Sequence, residues 1–310
     1  AAQLDAHYGS PAWRDRLVPY MTTVGHIDTL GQTRVDEAHV RDAFGSLWRD
    51  DRRPWHLVEP ALSKPSLDAL EFPSAARFLG DVEQLKADAK RACAEKADSF
   101  QIVSIGWGLF EHSWRIRGFE NGMMDAITEP DFYAALLDRL TDLFLAFVEV
   151  WQDVPADAIM FGDDWGFQQG VLLGPERWRT YIKPRWAKIY QAVHAQGKRT
   201  ISHSCGSVVD ILPDIIEMGL DVLESVQPEA RGMNPYALKK TFGSEITFWG
   251  CLGSQSTIQF GSPQEIKAEV KRLCAGMGAG GGYILAPAKS LQPGTPVENA
   301  AAVVEAFVEQ

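Results

Sequence analysis

Cysteine is scarce in this chain, with four thiols, Cys93, Cys205, Cys251 and Cys274, in 310 residues. That is too few for a disulfide scaffold at this length, and with no export signal the thiols are expected to be reduced. Basic charge is scarce too. A formal net charge of −11 leaves no surplus of Lys and Arg to neutralise phosphates, which argues against nucleic acid or an anionic membrane surface as partner. No apolar run approaches the ~20 residues needed to span a bilayer. The start, "AAQLDAHYGS", has neither the basic nor the apolar region of a secretory signal, so a soluble cytoplasmic protein is expected. It also lacks an initiator methionine, as a trimmed chain would. Low-complexity segments and dividing linkers are missing as well. The expectation is a single domain over residues 1–310, with an irregular part over 1–99.

What is present is a regular alternation. Strand-like apolar runs stand at 100–107, 157–162, 199–203, 221–226, 246–250 and 282–287. Between them lie stretches of helical period, such as "PDFYAALLDRLTDLFLAFVEVWQ" and "SPQEIKAEVKRLCAGMG". The stretch "GPERWRTYIKPRWAKIYQAVHAQG" opens with Pro175 at a first helical position, and Pro184 predicts a kink in it. Strand and helix in steps of about thirty residues are the mark of βαβ units and a parallel sheet. The fold expected is α/β, a (β/α)8 barrel distorted at its start. The proline- and aromatic-rich segment 52–74 is expected as extended loop around a barrel end.

Chemistry in such barrels sits at the C-terminal ends of the strands. Those positions here carry Trp107, Phe110, His112, Trp114 and Arg117 after the first run, then Asp163, Asp164 and Trp165. His203 and Cys205 come next, followed by Gln227, Glu229 and Arg231, by Cys251 and Gln255, and by Lys289 and Gln292. Residues two apart on an extended backbone point to one side, so His203 and Cys205 can reach a common ion. Imidazole and thiolate suit zinc. The competing reading is a capping cysteine beside a hydrogen-bonded histidine. Neighbours on a strand point opposite ways, so one of Asp163 and Asp164 faces the pocket, and Asp164 is preferred. It would serve as ligand, acid or partner of His203.

Trp107, Trp114, Trp165 and Trp249 are candidates for an apolar pocket wall, with core closure as the alternative for each. Phe110, Arg117 and Gln227 complete the substrate-binding candidates. Cys93 and Cys274 lie in helical patterns and read as packing. His26, His39, His56 and His194 have no chemical company. "GMGAGGGY" fits a G-x-G-x-x-G pattern, but it leaves a helix and enters a strand, the reverse of a dinucleotide fingerprint. It reads as a turn.

The stretch from "GDDWGFQQGVLLGPERW" through "TISHSCGSVVDIL" and "FWGCLGSQ" to "GGGYILAPAKSLQPGTPVENAAAVVEAF" resembles the uroporphyrinogen decarboxylase superfamily. Weaker agreement at "DAFGSLWRD" and "PSLDALEFPS" extends the likeness over most of the chain. The resemblance implies a distorted barrel with a deep cleft at the strand C-terminal ends. It implies one of two chemistries. One is metal-free decarboxylation of a polycarboxylate tetrapyrrole. The other is zinc-dependent methyl transfer between a small substrate, such as a methyl ether or thiol, and a corrinoid carried on a partner protein. His203 and Cys205 coincide with the His-x-Cys of the methyltransferases. Those enzymes take a third ligand from a cysteine after the final strand, where Lys289 stands here. Cys251, Asp164 or Glu224 would then substitute. Asp164 and Lys289, with Asp163, are the expected catalytic groups, and a homodimer is implied.

A tetrapyrrole with several carboxylates needs convergent cationic groups. The strand ends offer Arg115, Arg117, Arg231 and Lys289 beside acids and aromatics. A smaller, partly apolar substrate fits that set better, which favours the methyltransferase. The decarboxylase is the alternative, and a non-catalytic barrel that binds a small ligand is the third reading.

Overall fold

The computed structural model describes residues 2–310. Its centre is one curled parallel sheet of seven strands. These are β1 (Met21–Ile27), β2 (Phe100–Trp107), β3 (Ala158–Gly162), β4 (Arg199–His203), β5 (Val222–Val226), β6 (Thr247–Leu252) and β7 (Tyr283–Pro287). Each pairs with the next in chain order. Around it lie α1 (Val82–Glu95), α2 (Leu109–Arg117), α3 (Pro130–Val150), α4 (Lys183–Ala195), α5 (Pro263–Met277) and α6 (Val297–Val308). The architecture is a distorted (β/α) barrel.

Side-chain alternation divides the core into two layers. Ile102, Ala158, Ile201 and Val222 point into the barrel and meet Met21, Met160, Trp249 and Ile284 there. Val103, Ile105, Ile159 and Phe161 point outward, in the same core as Leu136, Leu140, Phe144 and Phe147 of α3. Each such side chain contributes roughly 1.5–3 kcal/mol by leaving water. Local signals set the helix ends. α5 begins at a capping box, with Ser262 and Glu265 each bonding the other's backbone and Pro263 at the first helical position. Pro184 stands in the first turn of α4, and a π-helical turn over Trp178–Ile182 lies between α4 and the turn at Pro175–Arg177.

Two expectations about the N-terminal third are corrected. Met21–Ile27 is a barrel strand, and a four-stranded antiparallel sheet occupies Thr33–Arg34, His39–Arg41, Leu47–Arg49 and His56–Glu59. Thr22, Thr23, Gly25 and His26 interrupt the apolar run of β1, which hides it from a pattern based on apolar content. An eighth barrel strand was also expected. Among the described residues, β1 and β7 are the sheet edges and no ladder joins them. A cavity of about 1410 Å³ lies there, lined from the N-terminal ends of the strands. Gly276 lies in the last turn of α5, and residues 278–282 form the turn to β7, with Gly280, Gly281 and Gly282 at positive φ. No helix among the described residues is long and apolar enough to cross a membrane.

Candidate active site

At the opposite, C-terminal ends of the strands lies a cavity of about 400 Å³. Its wall includes Trp107, Glu111, Met160, Asp164, His203 and Lys289, drawn from four separate strand ends. His203 is the last residue of β4, and Cys205 follows in the loop. Nε2 of His203 lies 2.9 Å from Sγ of Cys205 and 3.4 Å from Oδ1 of Asp164. The same Asp164 oxygen accepts the backbone N–H of Cys205 at 2.8 Å. One ligand atom from each of these three residues falls within 4.8 Å of the others.

Glu224, on the neighbouring strand β5, takes the other ring nitrogen. His203 Nδ1–H donates to its Oε2. That bond fixes the ring and leaves Nε2 facing Cys205 and Asp164, as a metal-ligating histidine requires. Burial alone would pull the imidazole pKa down. The hydrogen bonds to Cys205 and Glu224 outweigh it and push the value up to about 11. Lys289 is governed by the same contest. Burial opposes its charge, but the Cys205 sulfur and the carboxylates of Asp164 and Glu224 hold the ammonium charged.

An imidazole, a thiol and a carboxylate at this spacing fit a divalent zinc-type ion held by three protein groups. The partner behind the imidazole strengthens that fit. Cys251 does not belong to the cluster. It is 1% exposed in the apolar core, and burial pushes its thiol pKa well up.

Asp163 is also placed away from the cavity. Fully buried, it accepts the backbone N–H groups of Phe110 and Glu111 at 3.1 and 3.0 Å and the indoles of Trp165 and Trp186 at 2.9 and 2.8 Å. These bonds cap α2 and join it to β3. Burial is the largest influence on this carboxyl and raises its pKa to about 6 against those donors.

Of the expected substrate-binding residues, Trp107 lines the cavity. Phe110 and Trp165 are each 1% exposed within the core. Arg117 is buried in a two-point bond to Asp125 and donates to the Leu62 carbonyl. Trp114 packs edge-on against Phe119, their ring centroids 5.8 Å apart. Gln227 accepts from the Gly206 N–H at 3.3 Å and supports the loop rather than the cavity. Trp249 lines the large cavity at the other end of the barrel.

Two groups escaped the sequence reading. Glu111 lines the cavity, and burial, then Asp163 and Asp164, raises its pKa well above the usual carboxylate range. The signal was its place in the first turn of α2, directly after the end of β2. His26 pairs in register with Ser104 on β2 and bonds its hydroxyl at 2.9 Å, and Ser104 lines the cavity. Without β1 in the predicted sheet, nothing connected them.

Residues 56–310 match the uroporphyrinogen decarboxylase (URO-D) family profile. A methylcobamide:CoM methyltransferase, MtaA, from Methanosarcina barkeri is 30% identical over 184 residues, which are 58% of this chain and 50% of that protein. The chain thus spans about half the length of that relative. A uroporphyrinogen decarboxylase from Pelodictyon phaeoclathratiforme is 24% identical over 264 residues, 82% of this chain and 71% of the relative. A solved methyltransferase from Methanosarcina mazei superposes with a TM-score of 0.66 at 23% identity, covering 86% of this chain and 75% of that one. That last likeness speaks for the fold. Barrel, cleft and sequence agree: this chain belongs to the uroporphyrinogen decarboxylase family.

Proposed function

We propose that this chain is a zinc-dependent methyltransferase that moves a methyl group between a small substrate, such as a methyl ether or thiol, and a corrinoid held by a partner protein. The observation that carries the reading is the convergence of Asp164, His203 and Cys205 on one point, with Glu224 behind the imidazole. Asp164 takes the place of the cysteine that related methyltransferases have after the last strand, where Lys289 stands. The similarity to a methylcobamide:CoM methyltransferase supports the corrinoid partner.

A metal held there would act as a Lewis acid on the heteroatom that bears or receives the methyl group. The chain's own groups have separable tasks. Glu224 accepts the Nδ1–H of His203, so that Nε2 would turn its lone pair to a metal once the Nε2 proton is displaced. Lys289 places a positive charge beside the Cys205 sulfur. Glu111, whose protonated form burial favours, supplies a proton to a leaving oxygen. Trp107 and Met160 keep water from the reacting atoms.

The test is zinc content together with methyl transfer from free methylcobalamin to a small thiol. One equivalent of zinc is expected, lost along with activity in His203→Ala and in Cys205→Ser. Full turnover by metal-free protein rejects the reading. Turnover of uroporphyrinogen without metal replaces it with the decarboxylase.

A further inference from the structure

Arg115 poses a problem that the metal site does not solve. Its side chain is 2% exposed on α2, yet its Nε and Nη2 have no hydrogen-bond partner among the described residues. Buried donors are nearly always bonded, and a buried guanidinium without a carboxylate is costly. Two residues further along, Arg117 shows the ordinary solution. The same two nitrogens of Arg117 hold both oxygens of Asp125, at 2.5 and 3.1 Å.

The neighbours of Arg115 cover its faces and leave the buried Nε and Nη2 without a partner among the described residues. Its guanidinium carbon lies 4.0 Å from the ring centroid of Trp48 and 5.0 Å from that of Trp107. Such stacking stabilises the charge but offers nothing to the in-plane N–H groups. Asp42 acts on it through its field. Its oxygens, however, are taken by the backbone N–H groups of Phe44 and Ser46 and by the Trp48 indole. The place of Arg115 gives the gap a meaning. It stands one helical turn beyond Glu111, on the same face, and beside Trp107, and both of those residues line the cavity.

We propose that the cavity takes an aromatic acid whose carboxylate docks on the Nε and Nη2 edge of Arg115 while its ring lies against Trp107. A planar carboxylate matches that edge at two points, and no side chain here supplies one. Docking requires the half-buried Trp107 indole to shift. The inference names the substrate class for the site of the proposed methyl transfer. Its test reads binding alone, without metal or methyl donor, so the two readings fail separately.

Calorimetric titration of the metal-free protein compares benzoate with benzamide, its neutral isostere. The wild type is expected to prefer benzoate by about tenfold or more. Arg115→Gln, checked for folding by circular dichroism, is expected to bind both equally. Arg115→Lys keeps the charge without the two-point edge and is expected to give up most of the preference. Absence of benzoate binding, equal binding of both probes by the wild type, or a preference that survives in Arg115→Lys overturns the proposal. If Arg115→Gln does not fold, the wild-type ratio and Arg115→Lys decide the matter.

Discussion

His203 divides its ring between two neighbours: Nδ1 bonds Glu224 one strand over, and Nε2 lies 2.9 Å from the sulfur of Cys205. The carboxylate does not touch the metal position, yet it sets which nitrogen is free. Glu224→Gln keeps an acceptor at that place and removes the charge. Zinc affinity is expected to fall about 10- to 100-fold, as it does when such supporting partners are lost elsewhere. Competition with a chromophoric chelator measures it. An unchanged affinity would mean that packing alone orients the ring.

Lys289 competes for the thiol that a metal would use. Its ammonium stabilises the metal-free sulfur, and its charge repels a divalent ion at the same point. Lys289→Met removes both effects, and both changes favour the loaded state. Zinc binding at pH 8 is expected to tighten by about tenfold, a modest sum for one partly screened charge. Weaker binding in that variant would assign Lys289 a supporting role toward the ion.

His112 makes stability depend on acid. It is 1% exposed, its ring centroid 5.0 Å from that of Phe44. Burial, then the charge of Arg115, holds its pKa at about 3, far below the usual 6.5. Between those values the unfolded chain binds a proton here and the folded chain does not. The contribution is therefore complete above about pH 6.5 and is lost as the pH falls toward 3, at roughly 1.4 kcal/mol per pH unit. Asp163 has the opposite slope between pH 3.8 and about 6, because its folded pKa is raised, but it is present in both proteins being compared. His112→Leu is expected to gain on the wild type in urea unfolding at pH 6, 5 and 4. A constant difference across that range would show that His112 is already protonated in the folded state.

Asp163 was expected to work on the substrate, and its four donors give it a different task. Asp163→Asn turns one acceptor oxygen into an amide NH2 that faces other N–H donors. The expected cost is about 2–4 kcal/mol of stability, from donors left unsatisfied in the core. Zinc affinity of the folded fraction should stay within about threefold of the wild type. Undiminished stability with lost activity would return Asp163 to the chemistry.

The sequence made the barrel legible wherever apolar runs and helical periods were long, and the six runs from residue 100 onward all became strands. β1 escaped because threonine, glycine and histidine dilute it, and its pairing with β2 is a contact across more than seventy residues. The site was legible at His203, Cys205, Asp164 and Lys289, where position at a strand end carries the information. It failed at Asp163, Phe110, Trp165 and Arg117 for one reason. Being near a strand end does not say which way a side chain turns once the strand has ended. On α2, Glu111 lines the cavity, whereas Phe110 and Arg117 are buried away from it.

Gly206 bears the last prediction, since the meeting of Asp164 with Cys205 depends on two backbones lying almost in contact. Gly206 has φ +77, and a Cβ there would stand 2.7 Å from the carbonyl carbon of Gly166 and from the nitrogen of Phe167. A Cβ on Gly166 would stand 2.6 Å from the Cys205 carbonyl oxygen. The two loops are tied by the Ser207 N–H to the Phe167 carbonyl at 2.8 Å and by the Cys205 N–H to Asp164. Gly206→Ala adds both a strained backbone and an overlap with main chain that no rotamer relieves. The loops must part, and Asp164 must leave Cys205. Zinc affinity is expected to fall at least tenfold, with a stability loss of about 1–3 kcal/mol. Gly174→Ala has φ +75 but nothing within 4 Å of its added carbon, so it supplies the control for strain alone. Equal effects of the two substitutions on zinc affinity would show that the close approach of the loops does not hold the three ligands together.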